Sequence, residues 1–560
     1  MISDAIKNRC NSHGIFIIYL IASVLFLTVQ MFQGISFLDI GMYMSGYEHI
    51  ADDPYPSVFL GQWLLSFVIT SKILHLFHAD GFLALRIMNL ALITLTQCIV
   101  YGYAQKLIPK KYIVAGLGFT ILSLYGAYTE INYNDYSFFL FLLAIISLHH
   151  GKENHPMFIG LSGAIIGISF YFRITNLAWL ILPFIAWFIG YITHYSSKIS
   201  TKQLMLYFYT GWGIGLVATF ILLYLTGYSD LMVFTIKNMF GIGVDPKDNH
   251  NLLLVLIWFI EMHKNEIAST SAIAFYTMLI YLSLRTKVKS LRIGFCLILV
   301  GCIALCIYFL DSPTEITNGI CILALVLCLK SKRINTNIKF LFALACTIPI
   351  LGALGSNAEA AFANKGTCIL AVPFALYTIA QAKNEYSVHK KGYNKSIIVT
   401  LCVIGCAMLY ANLQHTMMEE EKRKDCTYHI NSPLTGNILT NKENAQMHNY
   451  LIKEVKPRIP KGSYLICNFS LTAISLLDCK PYAIFSTIYS GNRMNEKYIN
   501  YAYSHTHKLP YILLKTETIS ERDSFVIEYL TKRHPYKTIW SDGSYRLLAP
   551  IASIPCLYID

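Results

Sequence analysis

Charge is what this sequence has least of. Only 14% of its 560 residues are Asp, Glu, Lys or Arg, against about a quarter in an ordinary soluble domain, while 55% are hydrophobic and the mean hydropathy is +0.48. That balance excludes an ordinary globular protein. There is no Walker loop, no GxGxxG between strand and helix and no serine or cysteine nucleophile arrangement, so nucleotide binding has no support. Repeats and low-complexity stretches are also missing. Most of the 15 cysteines, Cys302 and Cys321 among them, lie in apolar runs at no metal-ligand spacing and read as small core residues. Cys426, Cys467, Cys479 and Cys556 lie in a polar C-terminal part and can form disulfides if that part is exported. Their spacing does not choose among the pairings.

What is present is a series of long apolar runs separated by basic residues. The formal net charge of +13 therefore reads as membrane topology and not as a nucleic-acid surface. A spanning helix needs about 20 apolar residues, and thirteen spans are expected near 14–34, 83–105, 112–128, 135–149, 156–171, 176–193, 205–226, 266–284, 291–310, 318–330, 338–355, 366–383 and 396–413. The first run follows Lys7 and Arg9 as a signal peptide would, but it is too long for one and no small-residue cleavage site follows. Residues 58–77 are apolar enough to span as well. Counting them would move Lys106, Lys110, Lys111 and every later basic cluster outside, against the positive-inside rule. They are placed instead as helices along the outer surface, within a juxtamembrane stretch at about 40–80. The outer loops then hold only Lys72, Arg173, Lys237, Lys247, Lys264 and Lys365.

An odd number of spans divides the chain into a membrane domain, 1–413, and an outer tail, 414–560. The tail is mostly polar. Thr440 with Glu443 forms a capping box for a helix to about Lys456. Strand-like runs follow at 464–469, 482–485, 511–514, 537–540 and 545–548, with a further helix near 520–533. The expected fold is a polytopic all-α transmembrane bundle with a small C-terminal α/β domain.

Ionisable groups at membrane level are costly and usually functional, and here they gather on the outer side. Asp39 lies just beyond the first span, and Glu130 and Asp135 fill the short loop between spans three and four. Arg86 opens span two, Arg173 ends span five, and Asn357 and Lys365 flank the loop before span twelve. Taken singly, each suits an interfacial anchor or cap; their clustering on one face suits a shared cavity. A carboxylate there can act as general base toward an acceptor hydroxyl or amine, and a second can orient it or hold a divalent cation. Arginine and lysine at helix ends can hold a phosphate. Such a set suits a lipid phosphate substrate. The histidines do not add a metal site: His149, His150 and His155 fall on the inner side, and His505 and His507 lie in the tail.

The stretch Asp39-Ile40-Gly41-Met42-Tyr43-Met44 resembles the Asp-Glu-Gly-x-Tyr motif of GT-C membrane glycosyltransferases, in the branch of aminoarabinose transferases and protein O-mannosyltransferases. Ile40 stands where the second acid is common, which leaves Asp39 as the candidate base. Pro54-Tyr55-Pro56-Ser57 and Leu60-Gly61-Gln62-Trp63-Leu64 resemble the family's juxtamembrane segment, and Leu83-Ala84-Leu85-Arg86-Ile87 its arginine-bearing start of the second span. Asn134-Asp135-Tyr136 is similar to its aspartate at the fourth span. The stretch from Gly355 to Gly366, and Leu434 to Leu465 in the tail, resemble bacterial members with an outer C-terminal domain.

The resemblance implies an inverting transfer from a polyprenyl-phosphate sugar donor to a glycolipid, glycan or protein acceptor, at the periplasmic face of a bacterial inner membrane. Asp39, Asp135 and Glu130 are the implied catalytic acids, Arg86, Lys365 and Arg173 the donor phosphate ligands, and Tyr43 and Asn357 the substrate contacts. Metal dependence stays open, since some members of the fold use a divalent cation and others do not. Membrane lipids are the surroundings, and no nucleic acid is expected. Two rivals are a transferase or ligase using a polyprenyl diphosphate, which calls for more outer positive charge, and a transporter or flippase, which calls for charges and broken helices at the bilayer midplane.

Overall fold

The computed structural model describes all residues except 1, 36, 38, 125–129, 245–251, 286–293, 295–312, 353–365, 387–389, 417–421, 484–491, 520 and 552–560. The chain is mostly helical. It runs through α1 (Ile2–Gln30), α2 (Asp39–His49), a 3-10 segment Tyr55–Trp63, α3 (Leu64–Leu76), α4 (Gly81–Ala104), α5 (Lys110–Leu122), α6 (Tyr133–Glu153), α7 (Met157–Phe172), a 3-10 segment Ile174–Ile181, α8 (Leu182–Ile192), α9 (Thr201–Leu225), α10 (Ser229–Val244) and α11 (Leu252–Arg285). Later helices cover Pro313–Lys330, Thr336–Ala345, Thr347–Gly352, Ala371–Tyr386 and Lys390–Gln414. Helix thus occupies the expected span positions other than 291–310, which falls almost wholly outside the described residues. Among the described residues five helical stretches are long and apolar enough to cross a membrane, and with the composition they make this a multi-pass membrane protein.

One of the five is the doubtful segment, Tyr55–Leu76. Its most apolar window is 61% buried inside the protein, whereas the other four windows are 17–33% buried. A lipid-facing helix must leave much of its surface uncovered, so this segment is built to meet protein. It packs on α10 and on the tail helix Asn492–Thr506. The stretch between expected spans seven and eight is helical as well: it holds α10 and the start of α11, and Leu231, Met232 and Thr235 give α10 a face to bury.

The tail is a five-stranded mixed sheet in the order β4-β3-β5-β7-β6, from β3 (Tyr464–Cys467), β4 (Lys480–Pro481), β5 (Tyr511–Lys515), β6 (Tyr536–Ser541) and β7 (Tyr545–Pro550). β3 runs parallel to β4 and β5, and β7 runs antiparallel to β5 and β6. A two-stranded ribbon, β1 (Tyr428–His429) with β2 (Leu439–Thr440), lies at its entry. The first tail helix is Lys442–Glu454, and its N-cap is Asn441, whose Oδ1 accepts from Asn444 N at 2.8 Å. Thr440 is one residue too early for the expected capping box because it is held in β2. Helices Asn492–Thr506 and Thr472–Leu476 carry no clear signal in the sequence. Cys426, Cys467 and Cys479 are buried, and Cys556 lies outside the described residues.

Bundle and tail share one continuous apolar core, in which Tyr43, Tyr47, Phe67 and Leu85 join Leu451, Leu465, Leu476 and Ile512. Deeper in the membrane, α7 and α9 cross through glycines. A Cβ on Gly211 would lie 1.9 Å from the Gly160 carbonyl oxygen, and one on Gly163 would lie 2.0 Å from that of Phe208. Small residues let two backbones approach where no hydrophobic effect drives association. Gly211→Ala is therefore expected to destabilise the protein by about 1–3 kcal/mol through overpacking. Gly213→Ala, two residues along in open space, should leave stability unchanged or raise it slightly. Thermal unfolding of the two purified variants checks this, and equal melting temperatures would contradict the crossing.

Candidate functional site

Arg86, in the first turns of α4, is 1% exposed. A guanidinium keeps its charge in the interior, so it needs acceptors there. Nε donates to Glu130 Oε1 at 2.7 Å, Nη1 to the carbonyls of Met31 at 2.6 Å and Gln33 at 3.5 Å, and Nη2 to the carbonyl of Gly34. Glu130 is fully buried. One side chain thereby joins the end of α1, the start of α4 and the loop before α6.

That loop is fastened twice more. Ile131 N donates to Leu85 O at 3.3 Å, and the Tyr47 hydroxyl of α2 donates to Ile131 O at 2.9 Å. Asn132 and Asp135 then open α6 as a reciprocal cap: Asn132 N donates to Asp135 Oδ2 and Asn134 N donates to Asn132 Oδ1, each at 2.8 Å. Between the ion pair and the cap, Tyr133 stacks on Trp63 with ring centroids 4.4 Å apart and meets Tyr43 edge-on at 5.8 Å. Arg173, buried at the end of α7, lies over the Tyr133 ring at 5.6 Å and donates from Nη1 to Gly352 O at 2.9 Å.

The structure thus brings Arg86, Glu130, Asp135, Arg173 and Tyr43 around one loop, 130–135. Asp39 is the first residue of α2, one helical turn ahead of Tyr43; its side chain is not among those described. Asn357 and Lys365 lie outside the described residues, but the chain on either side of them is at this loop. Gly352 is held by Arg173, and Gly366 and Thr367 line a cleft of about 60 Å³ together with Asp135. The cleft lies between α4, α5 and α6, with Leu92, Ile121 and Phe138 among its apolar walls. Sequence reasoning missed Tyr47 and the ring wall of Trp63, Phe67 and Tyr133. Trp63 and Tyr133 stand inside or beside the quoted motifs, and their ring chemistry was the signal available.

Among the described residues no three acids, histidines or cysteines converge, Glu130 is engaged by Arg86, and Asp135 is engaged in capping α6.

No family model matches the chain, and no curated protein matches its sequence. Among solved structures it is similar to the archaeal oligosaccharyltransferase AglB from Archaeoglobus fulgidus in complex with an inhibitory peptide and a dolichol-phosphate, at 10% identity over 97% of this chain and 75% of that one, with a TM-score of 0.46. It is also similar to ArnT from Cupriavidus metallidurans bound to undecaprenyl phosphate, at 11% identity over 96% of this chain and 98% of that one, with a TM-score of 0.41. Both are GT-C membrane glycosyltransferases. A further similar structure is the Archaeoglobus fulgidus oligosaccharyltransferase in complex with Zn and sulfate, at 10% identity over 93% and 72% of the two chains, with a TM-score of 0.48.

Removing one partner of a buried ion pair leaves the other charge uncompensated, which typically costs about 3–5 kcal/mol. Glu130→Ala is expected to lower stability by that amount, read as a fall in the melting temperature of the purified protein. An unchanged melting temperature would show that Arg86 does not depend on Glu130.

Proposed function

We propose that the protein is an inverting glycosyltransferase that moves a sugar from a polyprenyl-phosphate donor to a glycolipid, glycan or protein acceptor at the outer face of the membrane. The observation that carries this reading is the convergence at loop 130–135. The helix that opens with Asp39 and the motif resembling a glycosyltransferase signature, two buried arginines, an aromatic wall and an apolar cleft ending at Asp135 all meet there. The cleft's apolar walls suit the lipid part of a donor.

Each residue then has a place in a single displacement. Asp39 takes the proton from the acceptor hydroxyl or amine as the acceptor attacks the sugar C1. The bond from C1 to the phosphate oxygen breaks, the configuration at C1 inverts, and polyprenyl phosphate leaves with the electron pair. Arg173 and Lys365 supply positive charge where the leaving phosphate oxygen gains negative charge. Arg86 already donates to Glu130 and to the carbonyls of Met31, Gln33 and Gly34. Its part is to fix the chain leading into α2 and to lend its field to the phosphate. Asp135 and Glu130 set the loop that orients the acceptor, and Tyr43 with Asn357 contacts substrate.

A general base contributes a factor of about 100 to 10,000 in rate. Asp39→Asn, which keeps the shape and removes the basicity, is expected to lower the initial rate of glycan restoration in a deletion strain by that factor at unchanged protein level. A near-normal rate would remove Asp39 from the mechanism and favour transport over transfer.

A further inference from the structure

Helix α3 has its start in the aromatic wall of the site and its end in the open. Near the start, the Phe67 ring meets Tyr47 at 4.6 Å and Tyr43 edge-on at 6.0 Å between centroids. One turn on, the Thr70 hydroxyl lies 2.8 Å from that of Tyr136, the residue after Asp135. At the far end the pattern reverses: Leu76 is 73% exposed and Phe77 71% exposed.

This tip is fixed in place. His78 takes a left-handed conformation at φ 49°, its N–H donates to His75 O at 3.2 Å, and Ala79 N donates to Leu74 O at 3.0 Å. Those two bonds are the Schellman closure of a helix end. They turn Leu74 into the core and Ala79 against it, and leave Leu76 and Phe77 outside. Gly81, left-handed as well, then starts α4.

Adjacent large apolar side chains at this exposure call for a partner. The tail shows what water-facing chain in this protein tolerates: among its described residues no large apolar side chain is more than 45% exposed. The helices long and apolar enough to cross a membrane reach the values of the tip, with Val29 at 72% near the end of α1 and Leu225 at 75% at the end of α9. Helix α4 carries an exposed stripe at Ile87, Ala91 and Leu95. It begins only four positions after Phe77, a reach of at most about 14 Å, so the tip stands where α4 enters lipid. Around it Lys72, His75 and His78 are exposed. Side chains of these kinds keep their apolar parts in lipid and their polar ends among headgroups.

We propose that Leu76 and Phe77 insert into the phospholipid surface beside α4, with Lys72, His75 and His78 at headgroup level. The occupant is lipid because the tip continues, through one fixed turn, into a helix whose own exposed stripe is lipid-facing. Helix α3 has 13 residues, a rod of about 20 Å, and it carries the level of the bilayer to Phe67, Thr70 and the loop at 130–135. Only the use of that level, to set the site against a lipid-linked donor, rests on the transfer reading; the lipid contact stands without it.

The full-length protein in nanodiscs of phosphatidylethanolamine and phosphatidylglycerol, with the photoreactive residue p-benzoylphenylalanine at position 77, tests the contact. Irradiation is expected to add the mass of one phospholipid, mapped to position 77. The yield should exceed by roughly ten-fold or more that of the same probe at position 450, an exposed ring site in the tail, as burial of one large apolar side chain implies. Equal yields at the two positions, or an adduct at 77 to a second copy of the chain, would overturn the anchor. Phe77→Trp reads the same contact independently: its added emission is expected to be quenched by lipids brominated in their acyl chains and shielded from aqueous acrylamide. The reverse pattern would contradict insertion. An Asp39→Asn protein of normal rate, which sinks the transfer reading, changes neither result.

Discussion

Arg86 carries a permanent charge into a place where water cannot follow, and the end of the bundle that meets the C-terminal domain is arranged around satisfying it. Glu130 supplies the opposite charge, and the carbonyls of Met31, Gln33 and Gly34 supply the remaining acceptors. Because those groups come from three separate stretches of chain, the ion pair fixes where α1 ends, where the path into α2 begins and where the loop before α6 must lie. Buried pairs seldom add stability over an apolar core, but breaking one is expensive. Here the pair dictates geometry: it sets Tyr133 against Trp63 and Tyr43, and brings Asp135 to the wall of the cleft.

The second constraint comes from the other end of the sequence. The tail shares a core with the outer ends of α2 to α4, and β2 pairs with the chain beyond α1 through Gln33 and Leu439. Leu434 even approaches the left-handed Gly81 at the start of α4, where a Cβ would lie 2.4 Å from its carbonyl oxygen. A domain fastened this way acts as part of the wall of the outer site. The short helix carrying Asp39 is therefore held from below by the Arg86 network and from above by the sheet domain.

Much of this was legible in the chain. Apolar runs of about 20 residues locate the helices, since each span must satisfy its own backbone in lipid, and short strand-like runs mark β3, β5, β6 and β7 to within two residues. Asp39, Arg86, Glu130 and Asp135 stand out because charge is scarce near the membrane. What the sequence concealed is how they pair. That Arg86 turns to Glu130 and not outward depends on contacts separated by 44 residues. Helix Asn492–Thr506 was missed because its apolar face, with Tyr498, Ile499 and Ala502, is spread among polar residues and packs on Tyr55–Trp63, a partner that only the fold supplies.

Chemistry at the outer site would leave a trace in the lipids of the cell. In a deletion strain, mass spectrometry of membrane lipids and envelope glycans is expected to show one sugar-charged polyprenyl phosphate rising while one glycan modification disappears, both reversed by the wild-type gene. If the sugar-charged lipid stays at its normal level and every envelope glycan is retained, the protein does not transfer a sugar from such a donor.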